Sequence, residues 1–261
     1  MDERSIQPGG GEHVPPPVGV PRAGRGAGAG GADQLEDPRA LTILTTEHWS
    51  LLSARSLVYN EAFARTGMFL TFLSASLVAM ALLSQAMGFE RDFLLFVAVI
   101  LGFDFFIGLA TLGRVASASN EDLRCIAGMN RIRHAYLEIA PGLEQYFITS
   151  RYDDLLGILS TYGEPTSEHP SMFLGFLHAL TTTDGMVGMI TSAIGGILGA
   201  VVALLVGAPP SVAIAVGIAM FAVLFLGLSR AGYSNFSSFG ARLGPRFPTP
   251  PAAAGDRRQT G

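Results

Sequence analysis

The sequence predicts an all-α integral membrane protein, with four transmembrane helices paired as two hairpins and helical extensions on the cytoplasmic side. Three observations carry this prediction. Four nearly unbroken apolar runs lie at 66–87, 93–112, 185–206 and 211–229, each close to the roughly 20 residues that cross a hydrocarbon core ~30 Å thick. The runs are joined in pairs by turns only long enough to reverse the chain, Gly88-Phe89-Glu90-Arg91-Asp92 and Gly207-Ala208-Pro209-Pro210. All 17 basic residues are arginine, and of these only Arg91 falls in either turn. The positive-inside rule therefore puts both termini and the long middle segment in the cytoplasm.

The apolar fraction, 49% with a mean hydropathy of +0.40, does not by itself indicate a membrane. Its clustering into four runs does. A net charge of −4 gives no electrostatic footprint for nucleic acid. Arginine without lysine, together with 32 glycines and 15 prolines, fits a high-GC bacterium, so the expected location is a bacterial plasma membrane. The single cysteine, Cys125, allows no internal disulfide and reads as a small buried apolar residue.

Residues 1–40 carry PGGGE, VPPPVGVP and RAGRGAGAGGA. Such sequence buries too little apolar surface to offset its chain entropy, so a disordered tail is expected. It has no apolar h-region, and the first membrane helix would act as its own signal. Residues 41–65 form an amphipathic cytoplasmic helix. Thr45 or Thr46 is its expected cap, with Glu47 in the first turn. Its apolar side is Trp49, Leu52, Leu57 and Phe63. Trp49 is either an interfacial anchor or a contact to a later cytoplasmic helix. No breaker separates this helix from the first membrane run, so the two are free to be continuous.

The first transmembrane hairpin spans 66–112. Its first helix has small residues at four-residue spacing, Gly67, Thr71, Ala75 and Ala79, a row that lets another helix approach closely. Its second helix contains Asp104 near the middle and is free to continue to Pro141, with a bend possible at Gly113. Leu123, Ile126, Met129, Ile132, Tyr136 and Ile139 make an apolar stripe along that continuation. An unbroken helix from Phe93 to Ala140 would be roughly 70 Å long at 1.5 Å per residue.

Within the cytoplasmic helical loop 113–184, residues 152–162 read as a short helix. GEPTSEHP reads as a loop, and 171–180 as an apolar segment too short to span, lying on the membrane or packed on the helix before it. In the second transmembrane hairpin, 185–229, two rows of small residues predict contact with more than one helix: Gly188, Ser192, Gly196, Ala200 and Gly195, Gly199, Ala203, Gly207. Residues 230–261 read as a disordered tail.

Asp104 is the sharpest candidate functional residue. A carboxylate at the bilayer centre costs on the order of 2.5–3.5 kcal/mol on insertion scales, so it should face protein or water. One reading is a proton or cation relay, or a pore-lining acid. The other is a protonated acid, one bonded to Ser74, Ser76 or Thr191 across helices, or one polar turn inside an oligomer seam. Two polar clusters, Asn60-Glu61 with Arg65 and Asn120-Glu121-Asp122 with Arg124, flank the first hairpin and should meet, locking the helices into a stalk or forming a gate. Asp153 and Asp154 read as a solvated face, since neighbours in sequence diverge on a helix. His134 reads as a helix-surface residue. No histidine, cysteine or carboxylate set has metal-ligand spacing, and no nucleophile elbow, P-loop or zinc-protease motif occurs. No cofactor and no enzyme activity are expected; an enzyme would have to gather His134, His178, Glu121 and Asp122 in one cleft.

The segments LTTEHWSLLSARSLVYNEAFARTGMFL and NEDLRCIAGMNRIRHAYLEIAP resemble a family of uncharacterised four-helix bacterial membrane proteins, over residues 41–162. That resemblance implies a membrane location and no particular activity. More distantly, a cytoplasmic helix, a tight two-helix hairpin and a long helix after it resemble the SLATT-type membrane effectors of bacterial conflict systems. The likeness implies self-association in the membrane, and the second hairpin departs from that plan. The function expected on these grounds is non-enzymatic: a homo-oligomer in the lipid bilayer with channel-like or scaffolding action. The alternative is a small ion- or proton-coupled transporter using Asp104.

Overall fold

The computed structural model describes residues 35–162 and 182–250. Among these the chain is helical throughout, with no strand: α1 (Ala40–Met87), α2 (Arg91–Ile139), a 3-10 turn (Pro141–Tyr146), α3 (Leu155–Thr161), α4 (Thr183–Leu205) and α5 (Pro210–Arg242). Helices α1, α2, α4 and α5 are long and apolar enough to cross a membrane. The expectations for 1–34, for the loop 163–170, for the short apolar segment 171–180 and for 251–261 lie outside the described residues.

Helix α1 runs 48 residues without a break, so the amphipathic segment and the first apolar run are one helix. It starts earlier than its threonines imply. Thr45 and Thr46 donate back to the carbonyls of Leu41 and Thr42, both at 2.8 Å, and so lie inside the helix. It stops at Gly88, whose φ of 67° suits a residue without Cβ. Helix α2 continues unbroken through Gly113 for 49 residues, roughly 73 Å at 1.5 Å per residue. Pro141 then forces a change to the 3-10 turn. Helix α3 begins at Leu155 rather than at Tyr152, because the Asp154 side chain accepts the Gly157 N–H at 2.9 Å and caps it. Thr182 caps α4 in the same way.

The fourth apolar helix does not end at Ser229. Helix α5 reaches Arg242, and 243–250 follows as an ordered strap. The physical reason lies in Phe236, Phe239 and Leu243, at three- and four-residue steps. They pack on a core of Leu123, Ile126, Ala127, Met129 and Ile158. The glycine and arginine content of that stretch hides this apolar stripe.

The long helices stand side by side in the order α1, α2, α4, α5. Helix α2 is central, with α1 on one flank and α4 on the other. A first core joins Phe69, Phe93, Val97, Leu101, Val187, Ile194 and Val201. The small residues of α4 serve both neighbours. A Cβ on Gly195 would lie 2.8 Å from the Phe105 ring of α2, and one on Gly196 would lie 2.9 Å from the Gly217 carbonyl of α5.

The row on α1 is different. Gly67 has open space beside it, and Thr71 and Ala75 are exposed. The apolar side of 41–65 also points outward. Trp49 is 63% exposed, and Leu52, Leu57 and Phe63 are exposed too, so among the described residues no later helix covers Trp49. What α1 buries is Ala62, Thr66 and Phe69.

Candidate functional site

Asp104 lies on the face of α2 that meets α1 and is 1% exposed. Ser76 of α1 donates to its Oδ1 at 2.9 Å. The other predicted partners turn elsewhere. Ser74 donates to its own helix at the Leu70 carbonyl, 2.8 Å away. Thr191 of α4 sits one turn further along α2, where a Cβ on Gly108 would be 2.6 Å from its Oγ1. Among the described residues, Asp104 Oδ2 and Thr191 Oγ1 are buried without a hydrogen-bond partner. Two orphaned polar atoms and one hydroxyl–carboxylate bond thus lie within apolar stretches of three adjoining helices.

Beyond the apolar runs, the polar clusters meet only in part. Glu61 takes two bonds from Arg114, at 2.7 and 3.0 Å, and one from Arg65 at 3.0 Å. Glu121 stands 3.6 Å from the same Arg114. The Arg114 guanidinium first, and Arg65 after it, hold the Glu61 carboxyl down to about 2. Asp122 is buried one step further along and pairs with Arg55 at 2.5 Å. The Tyr59 hydroxyl donates to it at 3.0 Å, and that of Tyr162 closes on the same oxygen. Burial, then the bond to Asp122, pushes the Tyr162 phenol above its usual range, so it remains a donor. Asn60 is exposed, and Asn120 and Arg124 turn toward α5. Arg55, Tyr59, Arg114 and Tyr162 complete clusters that sequence reasoning left without them. The antiparallel register set by the Gly88 turn was the available signal for Arg55 and Arg114.

Asp153 and Asp154 are not a solvated face. Asp153 is 0% exposed. Its carboxylate accepts the backbone N–H groups of Arg246 and Phe247, at 2.9 and 2.8 Å, and pairs with Arg131 of α2 at 2.5 Å. Asp154 accepts both the N–H and the hydroxyl of Thr249, at 3.0 and 2.8 Å. The two acids thus clamp the strap after α5 onto α2 and α3. They can do so because 151–154 lies outside any helix, which frees neighbouring side chains from helical divergence. Burial alone would raise the Asp153 carboxyl, but the N–H of Arg246, the Arg131 guanidinium and the N–H of Phe247 hold it below the usual aspartate range. Asn130, fully buried, donates to the carbonyls of Tyr152 and Gly157 at 2.7 and 3.3 Å. Phe247 stacks on His134 with ring centres 3.9 Å apart, so His134 is a packing partner rather than a surface residue.

Among the described residues Glu121, Asp122 and His134 do not come together in one cleft; the acid that His134 meets is Glu138 of its own helix, at 3.4 Å. Asp122 is taken up by Arg55 and two tyrosines, His134 by Phe247, and His178 lies outside the described residues. Among the described residues no group of three or more histidine, cysteine or acidic side chains could hold a metal ion. Cys125 is half-buried, and burial together with the nearby Asp122 carboxylate raises its thiol above the usual value, which disfavours the reactive thiolate. No family model matches the chain, and no curated protein and no solved structure matches it.

Proposed function

We propose that this chain is a non-enzymatic, multi-pass protein of a bacterial plasma membrane that works as a homo-oligomer with channel-like or scaffolding action. It crosses the bilayer four times as two hairpins. Both termini and the polar ends of α1, α2 and α5 lie in the cytoplasm, as the arginine distribution argues.

One observation carries this reading: a face of α1 that has no partner among the described residues and continues from the stalk into the apolar run. Trp49, Leu52 and Phe63 are exposed and lead at helical spacing into Gly67, Thr71 and Ala75. Lipid can cover the upper part. It cannot reach Trp49, which lies 17 residues before Thr66, roughly 25 Å below the apolar run at 1.5 Å per residue. A large apolar stripe outside the bilayer marks an interaction surface, and the small residues above it allow close helix approach. A second copy meets both requirements. The likeness to SLATT-type effectors points the same way and is part of this proposal.

The test is oligomeric state in phosphatidylcholine nanodiscs and in mild detergent. The wild type should assemble, while Gly67→Leu with Ala75→Leu should shift it to monomer with helix content unchanged. A monomeric wild type in both media would sink the reading.

A second reading, a proton- or cation-coupled carrier, is favoured by Asp104 Oδ2, which is buried without a hydrogen-bond partner among the described residues. Ion and proton flux in liposomes tests whether Asp104 carries ions. Flux abolished by Asp104→Asn with assembly intact makes Asp104 functional and favours a carrier or a channel, and absence of flux in both proteins favours the scaffold.

A further inference from the structure

A cleft of about 170 Å³ opens between α2 and α5 at the arginine-rich end of the molecule. Asn120 and Arg124 line it from α2, Asn235, Phe239 and Arg242 from α5, with Leu243 at its edge. We propose that this cleft binds the phosphate group of a small, soluble phosphate monoester.

The charge pattern comes first. Arg55, Arg65, Arg114, Arg131 and Arg151 each pair with a carboxylate. Among the described residues Arg124 and Arg242 have no such partner, as Arg39, Arg91, Arg133, Arg230 and Arg246 also do not; what sets these two apart is that they line one cleft together, with no acid in its lining. Among the described residues Arg242 bonds only through its Nε, to the Ser238 carbonyl at 3.2 Å, which leaves its terminal N–H groups to face a ligand. Two guanidinium forks match the charge and the oxygen geometry of a phosphate dianion better than those of a single carboxylate. The two asparagine amides add neutral donors that suit the remaining oxygens.

The apolar part comes second. Phe239 is buried and belongs to the core with Ile126 and Ile158, so the floor is part of a packed core. Phe239 and Leu243 give a short apolar wall for the carbon of an ester. The volume is below the roughly 300–1,000 Å³ of pockets that enclose drug-sized ligands, which limits the ester to a few carbons.

Depth decides the source of the phosphate. Arg124 lies 12 residues beyond Leu112, roughly 18 Å past the apolar run at 1.5 Å per residue. The polar layer of a bilayer is only about 5–8 Å thick on each side. A headgroup of the host membrane therefore stops short of the cleft, and a water-soluble ester reaches it.

The experiment is calorimetric titration of the full chain, in phosphatidylcholine nanodiscs, with inorganic phosphate and with glycerol 3-phosphate. Saturable binding of both is expected, each competing with the other. Arg124→Gln and Arg242→Gln should each weaken binding at least tenfold, while Arg230→Gln, exposed on α5 and outside the cleft, should leave it unchanged. If either cleft variant fails to assemble, Asn120→Ala and Asn235→Ala replace it, with a several-fold loss expected. No saturable binding overturns the proposal. So does an equal loss with Arg230→Gln, which would mean diffuse attraction to arginine. In nanodiscs carrying phosphatidic acid, glycerol 3-phosphate binding should persist; its displacement would assign the cleft to a lipid headgroup and overturn the soluble source.

Discussion

Asp153 shows how far one residue can act. Its carboxylate is fully buried, yet each oxygen has a donor, from two backbone N–H groups of the strap and from Arg131. A buried carboxylate so held is stable only when ionised, and removing its charge leaves those donors unpaired. The folded carboxyl titrates below the ordinary 3.8. Its contribution is therefore fully present above about pH 4 and is lost as pH falls through the lower folded value. The gap in thermal midpoint between wild type and Asp153→Asn should stay constant from neutral pH to about pH 4 and shrink below it. A gap independent of pH down to acid unfolding would mean that the ionised carboxylate does not hold the strap.

At the scale of the helix, the α4–α5 contact depends on glycine in a way that most glycines of this chain do not. The Gly196 Cα faces the Gly217 carbonyl and the Phe221 side chain, and an added Cβ would fall 2.9 Å from each. Backbone cannot yield as a flexible side-chain tip can. Gly196→Ala should cost on the order of 1–3 kcal/mol through overpacking, read as a lower thermal midpoint in detergent. Gly102→Ala, with nothing within 4 Å, is the control and should hold or raise the midpoint, since alanine is the better helix former. Equal midpoints for the two variants would show that α4 and α5 do not approach this closely.

For the whole molecule, the order α1, α2, α4, α5 leaves α1 and α5 as outer helices, with many of their large apolar side chains exposed, among them Phe72, Leu82, Ile214 and Val223. A surface of that kind is unfavourable in water and suits lipid on the apolar runs. On the proposed topology, thiol labelling of intact cells has a defined outcome in a Cys125→Ser background. Glu90→Cys, in the first turn, should react with a membrane-impermeant maleimide added outside. Ser117→Cys, exposed on α2 below the apolar run, should react only after permeabilisation. The reverse pattern would invert the assignment of the arginine-rich end.

What the sequence by itself determined is local. Apolar runs of membrane length, a glycine that suits positive φ at position 88 and prolines at 141 and 210 fixed where the long helices begin and turn. Helix formation responds to such short-range signals. Asp104 was legible too, as a lone carboxylate in an apolar run, and so was its Ser76 partner as one of three. The tertiary structure decided what depends on pairing across the chain. It chose Arg55 and Tyr162 for Asp122, and it turned Asn120 and Arg124 away from α1 toward α5. It converted Asp153 and Asp154 from an expected solvated face into a clamp on residues more than 90 positions later. It also made an ordered helix and strap of 230–250, because Phe236 and Phe239 find their core only when α2 and α3 are already beside them. Such contacts are set by packing between distant segments, and neither composition nor periodicity within a single segment encodes them.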